Sequence, residues 1–394
     1  MDTKIIGVVG GGQLCLMMGE SIRDKGLSYR LVAVDPTPNC PAHQFLDQQF
    51  VGDYKDEEQI RKLGEVSDIL TFEIELASSR VLEELKQRGK PVHPSPETLR
   101  MIQDKYTQAS FLQAHHIPVP DFQGVTGRAD LEAAVKEYGL PLIVKARKDS
   151  YDGRGNFVLR DQGEIDKVLS YFSGRDLMAQ RYIPFDVEVS VISARSTHGK
   201  IATFPVGENI HGLDYNILET TIVPARVSPE VSSKARKTAE DTMEALNGVG
   251  VFGIEMFVVN GTILINEIAP RVHNSGHYSI EACHTSQFEQ HLRAIAGERL
   301  GNTGLVSGSA VMHNIIGEEG CTGNYQLMYG NVPVVGTVQV GEGVFFHNYG
   351  KHEVKPHRKM GHLTVVSLDG EAQEDLIHRA RKIKDNLKIE LRSK

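Results

Sequence analysis

A chain of 394 residues is longer than one hydrophobic core usually organises, so two or three domains of roughly 100 to 150 residues each are expected. Hydrophobic residues at 40% and charged residues at 24% exclude a disordered or fibrous protein, and a net charge of −8 argues against general nucleic-acid affinity, which needs a basic face. No apolar run approaches a membrane span, the start lacks the features of a signal peptide, and Cys15, Cys40, Cys283 and Cys321 show no zinc spacing; small, buried, reduced thiols in a cytoplasm are expected.

Residues 5–9 form an apolar strand, Gly10-Gly11-Gly12 a turn, and residues 13–25 a helix with spaced apolar positions. Further buried strands are expected at 31–35 and 68–73, so a parallel sheet covered on both faces forms a first domain over about residues 1–100, ending near His93-Pro94-Ser95-Pro96. The glycine turn has two readings. It resembles the start of a dinucleotide-binding fingerprint, with Asp35 where a ribose-binding acid would sit, although Cys15 takes the place of the third glycine. It also suits a plain tight turn between strand and helix.

A helical stretch over 96–116 leads to Ile117-Pro118-Val119-Pro120, where the prolines force an extended connection. From residue 141 the pattern turns to strands: 142–145, 156–159, 187–194 and 251–259. Lys145 ends a buried strand, a costly place for an ammonium unless it meets an anion such as a nucleotide phosphate. The following loop, Tyr151-Asp152-Gly153-Arg154-Gly155, has two glycines that free it to close over phosphates, but it is not a P-loop, because no Gly-Lys-Ser/Thr opens a helix there.

The most informative segment is a hairpin signalled by Asn260-Gly261 between two apolar runs. A two-residue turn sets Glu255 opposite Asn266; a three-residue loop sets it opposite Glu267. Either register gathers two carboxylates in apolar strands, where they repel and lose solvation unless a cation or a shared proton intervenes. A hard divalent ion such as magnesium answers that need, and so does pairing of each glutamate with a lysine or arginine. Directly after the hairpin, residues 268–278 carry Arg271, His273, Asn274 and His277 in a polar run, and an arginine there can hold a planar oxyanion through its forked donors. The last hundred residues are expected to hold short strands, including 332–340 and 363–367, and a helix over 372–387. The run 349–362 concentrates positive charge that suits one phosphate or a solvated face.

Together the 151–155 loop, the run NEIAPRVHNSGHYS over 266–279, the run SQFEQHLR over 286–293 and the run ending RKMGH at His362 resemble the ATP-grasp ligases, and within them the N5-carboxyaminoimidazole ribonucleotide synthetases. The resemblance spans essentially the whole chain. It implies an ATP-grasp fold of mixed α/β and α+β character, with an N-terminal Rossmann-like domain (1–100), an ATP-grasp domain (101–300) and a small β-rich C-terminal domain (301–394). It also implies a homodimer that uses ATP and Mg²⁺ to carboxylate 5-aminoimidazole ribonucleotide with bicarbonate through carboxyphosphate. By the same carry-over Glu255 and Glu267, with Asn266, hold Mg²⁺, while Lys105, Lys145, Gly153, Gly155, Gln180 and Glu188 contact the nucleotide. Arg271, His273 and Asn274 are implied to hold bicarbonate, and Tyr151, Asp152, Lys351 and Arg358 the ribonucleotide. The chain departs from the family pattern at Gln180, where glutamate is expected, at Lys105 for arginine, at Cys15 for glycine, and at Lys355 and His357 for arginine and glycine.

Overall fold

The computed structural model describes residues 3–149, 155–212 and 217–392, and these build four β-sheets. Strands β1 (Lys4–Val9), β2 (Tyr29–Asp35), β3 (Leu46–Val51) and β4 (Ile69–Phe72) form a parallel sheet in the order β3-β2-β1-β4. Helix α1 (Gln13–Lys25) packs Leu14 and Met18 with Ile6, Val8, Leu31 and Ala33 on one face of this sheet. Helices α2 (Glu57–Val66) and α3 (Ser79–Gln87) bury Ile60, Leu63, Val81 and Leu85 with Val9, Val32, Val34 and Leu70 on the other. Both faces are covered, which is why these strands read as continuous apolar runs.

The helical stretch over 96–116 is two helices, α4 (Pro96–Ile102) and α5 (Lys105–Ala114). Asp104 divides them: its carboxylate accepts the backbone N–H of Tyr106 at 3.0 Å and of Thr107 at 3.2 Å, a new N-cap. It also accepts from Arg147 at 2.7 Å. The break therefore aims the start of α5, and Lys105 with it.

Strands β5 (Phe122–Val125), β6 (Leu142–Ala146), β7 (Asn156–Leu159) and β8 (Leu177–Arg181) make an antiparallel sheet, order β5-β8-β6-β7. Helices α6 (Arg128–Tyr138) and α7 (Ile165–Tyr171) share its core around Leu131, Val144 and Val168.

The largest sheet begins with β9 (Val187–Arg195), β10 (Ile201–Thr203), β11 (Gly207–His211) and β12 (Leu218–Val223). Helix α8 (Pro229–Leu246) then leads to β13 (Gly250–Val259) and β14 (Thr262–Ala269), and α9 (Ser279–Ala282) and α10 (Gln287–Ala296) follow. The C-terminal part adds β15 (Ala310–Ile316), β16 (Tyr325–Tyr329), β17 (Val332–Val334), β18 (Thr337–Gly341), β19 (Val344–Asn348) and β20 (Lys359–Val366), then α11 (Gln373–Asp385) and β21 (Leu387–Leu391). The strand expected over 332–340 is two, divided by Gly336 at a φ of 62°, a left-handed corner that a straight strand lacks. Strand β12 pairs with β15, so one sheet runs β14-β13-β9-β11-β12-β15-β20-β19-β18; β17-β16-β21 form a small antiparallel sheet beside it. Of the cysteines, Cys15, Cys40 and Cys283 are buried and Cys321 is half-buried, all as free thiols.

Under this sheet lies a buried row of imidazoles. His347 and His362 stack at 4.1 Å, and His277 lies 4.9 Å from His362. His362 Nδ1 meets the Tyr349 hydroxyl at 3.0 Å. His347 pairs with Glu281 at 2.7 Å and with the Thr337 hydroxyl at 3.1 Å, and Thr337 donates to Glu20 of α1. Burial opposes charge on His347, yet the Glu281 carboxylate, helped by Glu20 and Asp24, holds its proton above the ordinary histidine range. The stabilisation from this pair is therefore complete below the ordinary histidine value and is lost as pH rises through the raised one. His347→Gln is expected to lower the melting temperature more at about pH 6 than at about pH 9. Equal losses at both pH values, measured by thermal unfolding, would contradict the charged pairing.

Candidate functional site

On β13 the side chains alternate. Ile254, Met256 and Val258 enter the core that α8 covers, which leaves Glu255 on the opposite face. The hairpin closes with a two-residue turn, Asn260 at φ 47° and Gly261 at φ 74°, and Val259 faces Thr262. Two-residue closure alone would set Glu255 against Asn266. Instead the register shifts between Met256, which opposes Ile265, and Glu255, which opposes Glu267. Asn266 is the extra residue of a β-bulge, so the short turn and the glutamate pairing, alternatives on sequence grounds, occur together.

This geometry concentrates acid on one face. Glu188 on β9 stands two residues from Ser190, the partner of Glu255, and so shares the face. Burial, then repulsion from Glu267, pushes the Glu255 carboxyl well above the usual carboxylate range; burial and Glu255 do the same to Glu188. Glu188 Oε1 has no hydrogen-bond partner among the described residues, and His211 Nε2 lies 3.7 Å from it. Glu267 behaves differently. Its desolvation is outweighed by Lys105, whose ammonium lies 2.8 Å away, and its carboxyl is held below the usual value. The side chain of Glu267 is 48% exposed, so it remains open to a ligand. Lys145 is buried, and its Nζ donates to Asn266 Oδ1 at 3.4 Å. Burial and the neighbouring Lys105 push its ammonium down to about 8.

Both sequence readings of the pair thus have substance: Glu267 meets a lysine, while Glu255 is left with its repulsion. Two carboxylates and an amide oxygen are a hard donor set that fits a divalent ion such as Mg²⁺. Among the described residues no three His, Cys, Asp or Glu converge as a metal cage, so such an ion would draw its remaining ligands from phosphate and water, as magnesium does at nucleotides.

A cleft beside the pair is lined by Lys105, Gln108, Lys145, Met178, Gln180, Asn266 and Glu267. Gln180, the departure from the family pattern, is buried on β8 opposite Ile143 and reaches this cleft. Gly155 is buried, and its carbonyl accepts from Ala146 at 2.9 Å, fixing one end of the 151–155 loop. Tyr151, Asp152 and Gly153 lie outside the described residues.

The polar run after the hairpin joins the same face. His273 Nε2 is 3.8 Å from Glu255. The Ser275 backbone N–H donates to His273 Nδ1 at 3.4 Å, which assigns the ring proton to Nε2 on the carboxylate side. Burial and Arg271 hold the imidazole far below its ordinary value, so it is neutral. Gln287 of α10 fixes the backbone here, accepting from His273 N–H at 2.8 Å and donating to His273 O at 2.7 Å. Asn274 exchanges amide hydrogen bonds of 2.9 and 2.6 Å with Asn314 on β15. Arg271 faces Glu75, with Nε 2.8 Å from Oε1.

In the C-terminal run, Lys351 Nζ donates to the Lys359 carbonyl at 2.6 Å, and exposed Arg358 donates to the Glu353 carbonyl at 3.1 Å. Lys359 acts on the carboxylate face, drawing the Glu255 carboxyl back down and opposing charge on His273 and His211. His357 has a φ of 62°, a left-handed position that explains why the family pattern carries glycine there. Sequence reading assigned no role to Glu75, Lys359, Gln287, Asn314 or His211. Glu75 had a weak signal as one of two acids just beyond the end of a buried parallel strand, where ligands gather in such sheets.

The glycine turn is accounted for by the chain itself. Asp35 accepts the Gly11 N–H at 2.9 Å, and Glu73 accepts those of Gly12 and Cys15, the latter at 2.7 Å. A Cβ on Gly10 would fall 2.3 Å from Glu73 Cγ. The donors that a pyrophosphate would need are taken by two carboxylates, which removes the dinucleotide reading.

Comparison with known proteins places three domain families along the chain. The ribonucleotide synthetase preATP-grasp domain matches residues 3–103, the ATP-grasp domain 110–288, and the phosphoribosylaminoimidazole carboxylase C-terminal domain 310–375. The chain is 38% identical to the N5-carboxyaminoimidazole ribonucleotide synthase of Bacillus subtilis (strain 168), over 92% of this chain and 91% of that protein. It is also 38% identical to the phosphoribosylaminoimidazole carboxylase of Ogataea methanolica, covering 67% of that longer protein. Among solved structures, N5-carboxyaminoimidazole ribonucleotide synthetase from Thermotoga maritima superposes with a TM-score of 0.86 at 40% identity, covering 99% of this chain and all of that one. An Aspergillus clavatus N5-carboxyaminoimidazole synthase in complex with ADP and 5-aminoimidazole ribonucleotide gives 0.84 at 29%, covering 97% and 99%.

Because Glu255 is ionised at a cost, removing its charge is expected to stabilise the fold. Its carboxyl is raised in the folded chain, so ionisation weakens folding above the ordinary glutamate value, and the penalty is complete only above the raised one. Without added nucleotide or metal, Glu255→Gln should melt higher than the parent at about pH 8, and the gain should shrink toward about pH 5. A variant that melts lower at the higher pH would refute the repulsion.

Proposed function

The chain belongs to the N5-carboxyaminoimidazole ribonucleotide synthetase family of ATP-grasp ligases, and from that premise we propose that it carboxylates 5-aminoimidazole ribonucleotide in an ATP-dependent step of purine biosynthesis. Bicarbonate supplies the carboxyl group; the products are N5-carboxyaminoimidazole ribonucleotide, ADP and phosphate. The observation that carries this reading is the Glu255 and Glu267 pair with two lysines on one side and the Arg271, His273 and Asn274 run on the other.

Bicarbonate is a poor electrophile and must be activated. One of its oxygens attacks the γ-phosphorus, the bond to the bridging oxygen breaks, and ADP leaves carboxyphosphate behind. Carboxyphosphate then delivers its carbon to the exocyclic amine; the new C–N bond replaces the C–O bond to phosphate, and phosphate carries away the amine proton. Lys145, next to Asn266 and buried, supplies fixed positive charge to the phosphates, and Lys105 contributes from the α5 N-terminus. Glu255 and Glu267, with the Asn266 amide oxygen, would hold Mg²⁺, which supplies neutralising charge for the phosphates when bound. Arg271 grips the oxyanion of bicarbonate, and neutral His273 offers its Nε2–H without adding a second positive charge.

Glu188 receives the nucleotide ribose, and the Gln180 segment the base. Lys351 and Arg358 donate to the backbone carbonyls of Lys359 and Glu353, contacts that a substrate phosphate can replace. With Tyr151 and Asp152 they bind the ribonucleotide. The loop over 151–155 shields carboxyphosphate from water. A homodimer in the cytoplasm belongs to the same reading; no helix of the described residues is long and apolar enough to cross a membrane.

Phosphate release from ATP is expected to require bicarbonate and to rise when 5-aminoimidazole ribonucleotide is added, with carboxylated product formed in step. Release that ignores both substrates would reject the assignment. Glu267→Gln should abolish turnover while leaving the melting temperature within a few degrees; an active variant would remove its metal role. Lys351→Ala should raise KM for the ribonucleotide by about tenfold, the loss of one charged contact to phosphate, and leave KM for ATP in place.

A further inference from the structure

Glu75 lies three residues beyond the end of β4, and Arg271 two residues beyond the end of β14, 196 positions away in sequence. Their side chains meet with 30% and 19% exposure, well below a free surface pair. Arg271 Nη2 donates to Glu75 Oε2 at 3.2 Å, and Nε stands 2.8 Å from Oε1, although its N–H is not aligned for a hydrogen bond. The contact covers the Nε and Nη2 edge of the guanidinium.

The segment bearing Glu75 is pinned from both sides. On one side Glu73 is locked into the glycine turn by the N–H groups of Gly12 and Cys15. On the other, Gln103 Nε2 donates to the Glu75 carbonyl at 2.7 Å and to the Ala77 carbonyl at 3.0 Å. Glu75 thus reaches Arg271 from a fixed backbone.

Guanidinium has five N–H donors in a planar fork. Nη1 donates to the Val272 carbonyl at 3.1 Å and Nη2 to Glu75. One N–H on each terminal nitrogen is left without a partner among the described residues, and two terminal N–H groups in one plane match the two oxygens of a carboxylate-like anion.

We propose that Glu75 is a positioning residue for the carboxylation, holding Arg271 by one edge of its guanidinium so that the other edge meets bicarbonate in a fixed orientation. This rests on the reading that Arg271 binds bicarbonate. The N-terminal sheet then takes part in the reaction geometry without touching the substrate. A long arginine side chain loses rotamer freedom when it binds, and a partner that orders it beforehand removes that cost from the binding step.

The test uses Glu75→Gln, which keeps shape and removes charge, and Glu75→Asp, which keeps charge and shortens reach. Product formation is followed against bicarbonate and, separately, against ATP, with melting temperatures alongside. Glu75→Gln is expected to raise KM for bicarbonate by about tenfold or more while KM for ATP stays within about twofold, and Glu75→Asp to recover part of the loss. An unmoved bicarbonate KM would overturn the inference. So would a rise in KM for ATP by the same factor, or a variant too unstable to bind nucleotide, since either makes Glu75 a general structural residue. If the parent chain forms no product from bicarbonate, the functional reading itself fails, whereas normal parent turnover with an unaffected Glu75→Gln removes only the positioning role.

Discussion

The site depends on forcing two carboxylates to face each other across a hairpin. A regular ladder from the tight turn would have set Glu255 against an amide, a milder arrangement. The bulge at Asn266 moves Glu267 into that place and turns an apolar sheet face into a region that calls for positive charge. The chain answers with Lys105 and Lys145, and these pull Glu267 below the usual carboxylate range while leaving Glu255 above it. Two opposed carboxylates thus hold protons differently: Lys105 stands 2.8 Å from Glu267, while repulsion from Glu267 adds to the burial of Glu255.

The rest of the architecture supplies the compensating groups. Lys105 is aimed by the break between α4 and α5, and Lys145 by the antiparallel sheet over the cleft. Lys359 comes from the C-terminal strand β20. Arg271, His273 and Asn274 are held respectively by Glu75 beyond β4, Gln287 on α10 and Asn314 on β15. Each contact costs chain entropy to form, and only a rigid scaffold makes three such distant restraints meet within one short run.

Local signals in the sequence carried far. Helix α1 begins and ends where its apolar spacing and glycine boundaries put it, and Asn260-Gly261 marks the hairpin because both residues take positive φ. The glutamate pair was legible from that turn, but the bulge was not, since no residue type near 266 demands one. The cap at Asp104 was missed because helical periodicity runs across it, and only a competing side-chain hydrogen bond ends α4. Partners such as Glu75 and Asn314 were invisible for a simpler reason. Their contacts join segments 196 and 40 residues apart, and no periodicity encodes them. The positive charge of the 349–362 run offered a phosphate site, the separate roles of Lys351 and Arg358 came from resemblance, and their donors rest on the carbonyls of Lys359 and Glu353.

The unbroken ladder from β12 to β15 has its own implication for how the chain can be divided. A fragment stopped before residue 310 would present β12 as a bare edge, with the peptide groups of Thr220 to Val223 unpaired on one side and Ile222 stripped of its C-terminal neighbours. Such an edge recruits any strand it meets, including another copy of itself. Proteolysis or recombinant shortening at that junction would therefore yield sticky, self-associating material, and the segment after residue 310 serves as a solubility cover as well as a supplier of charge.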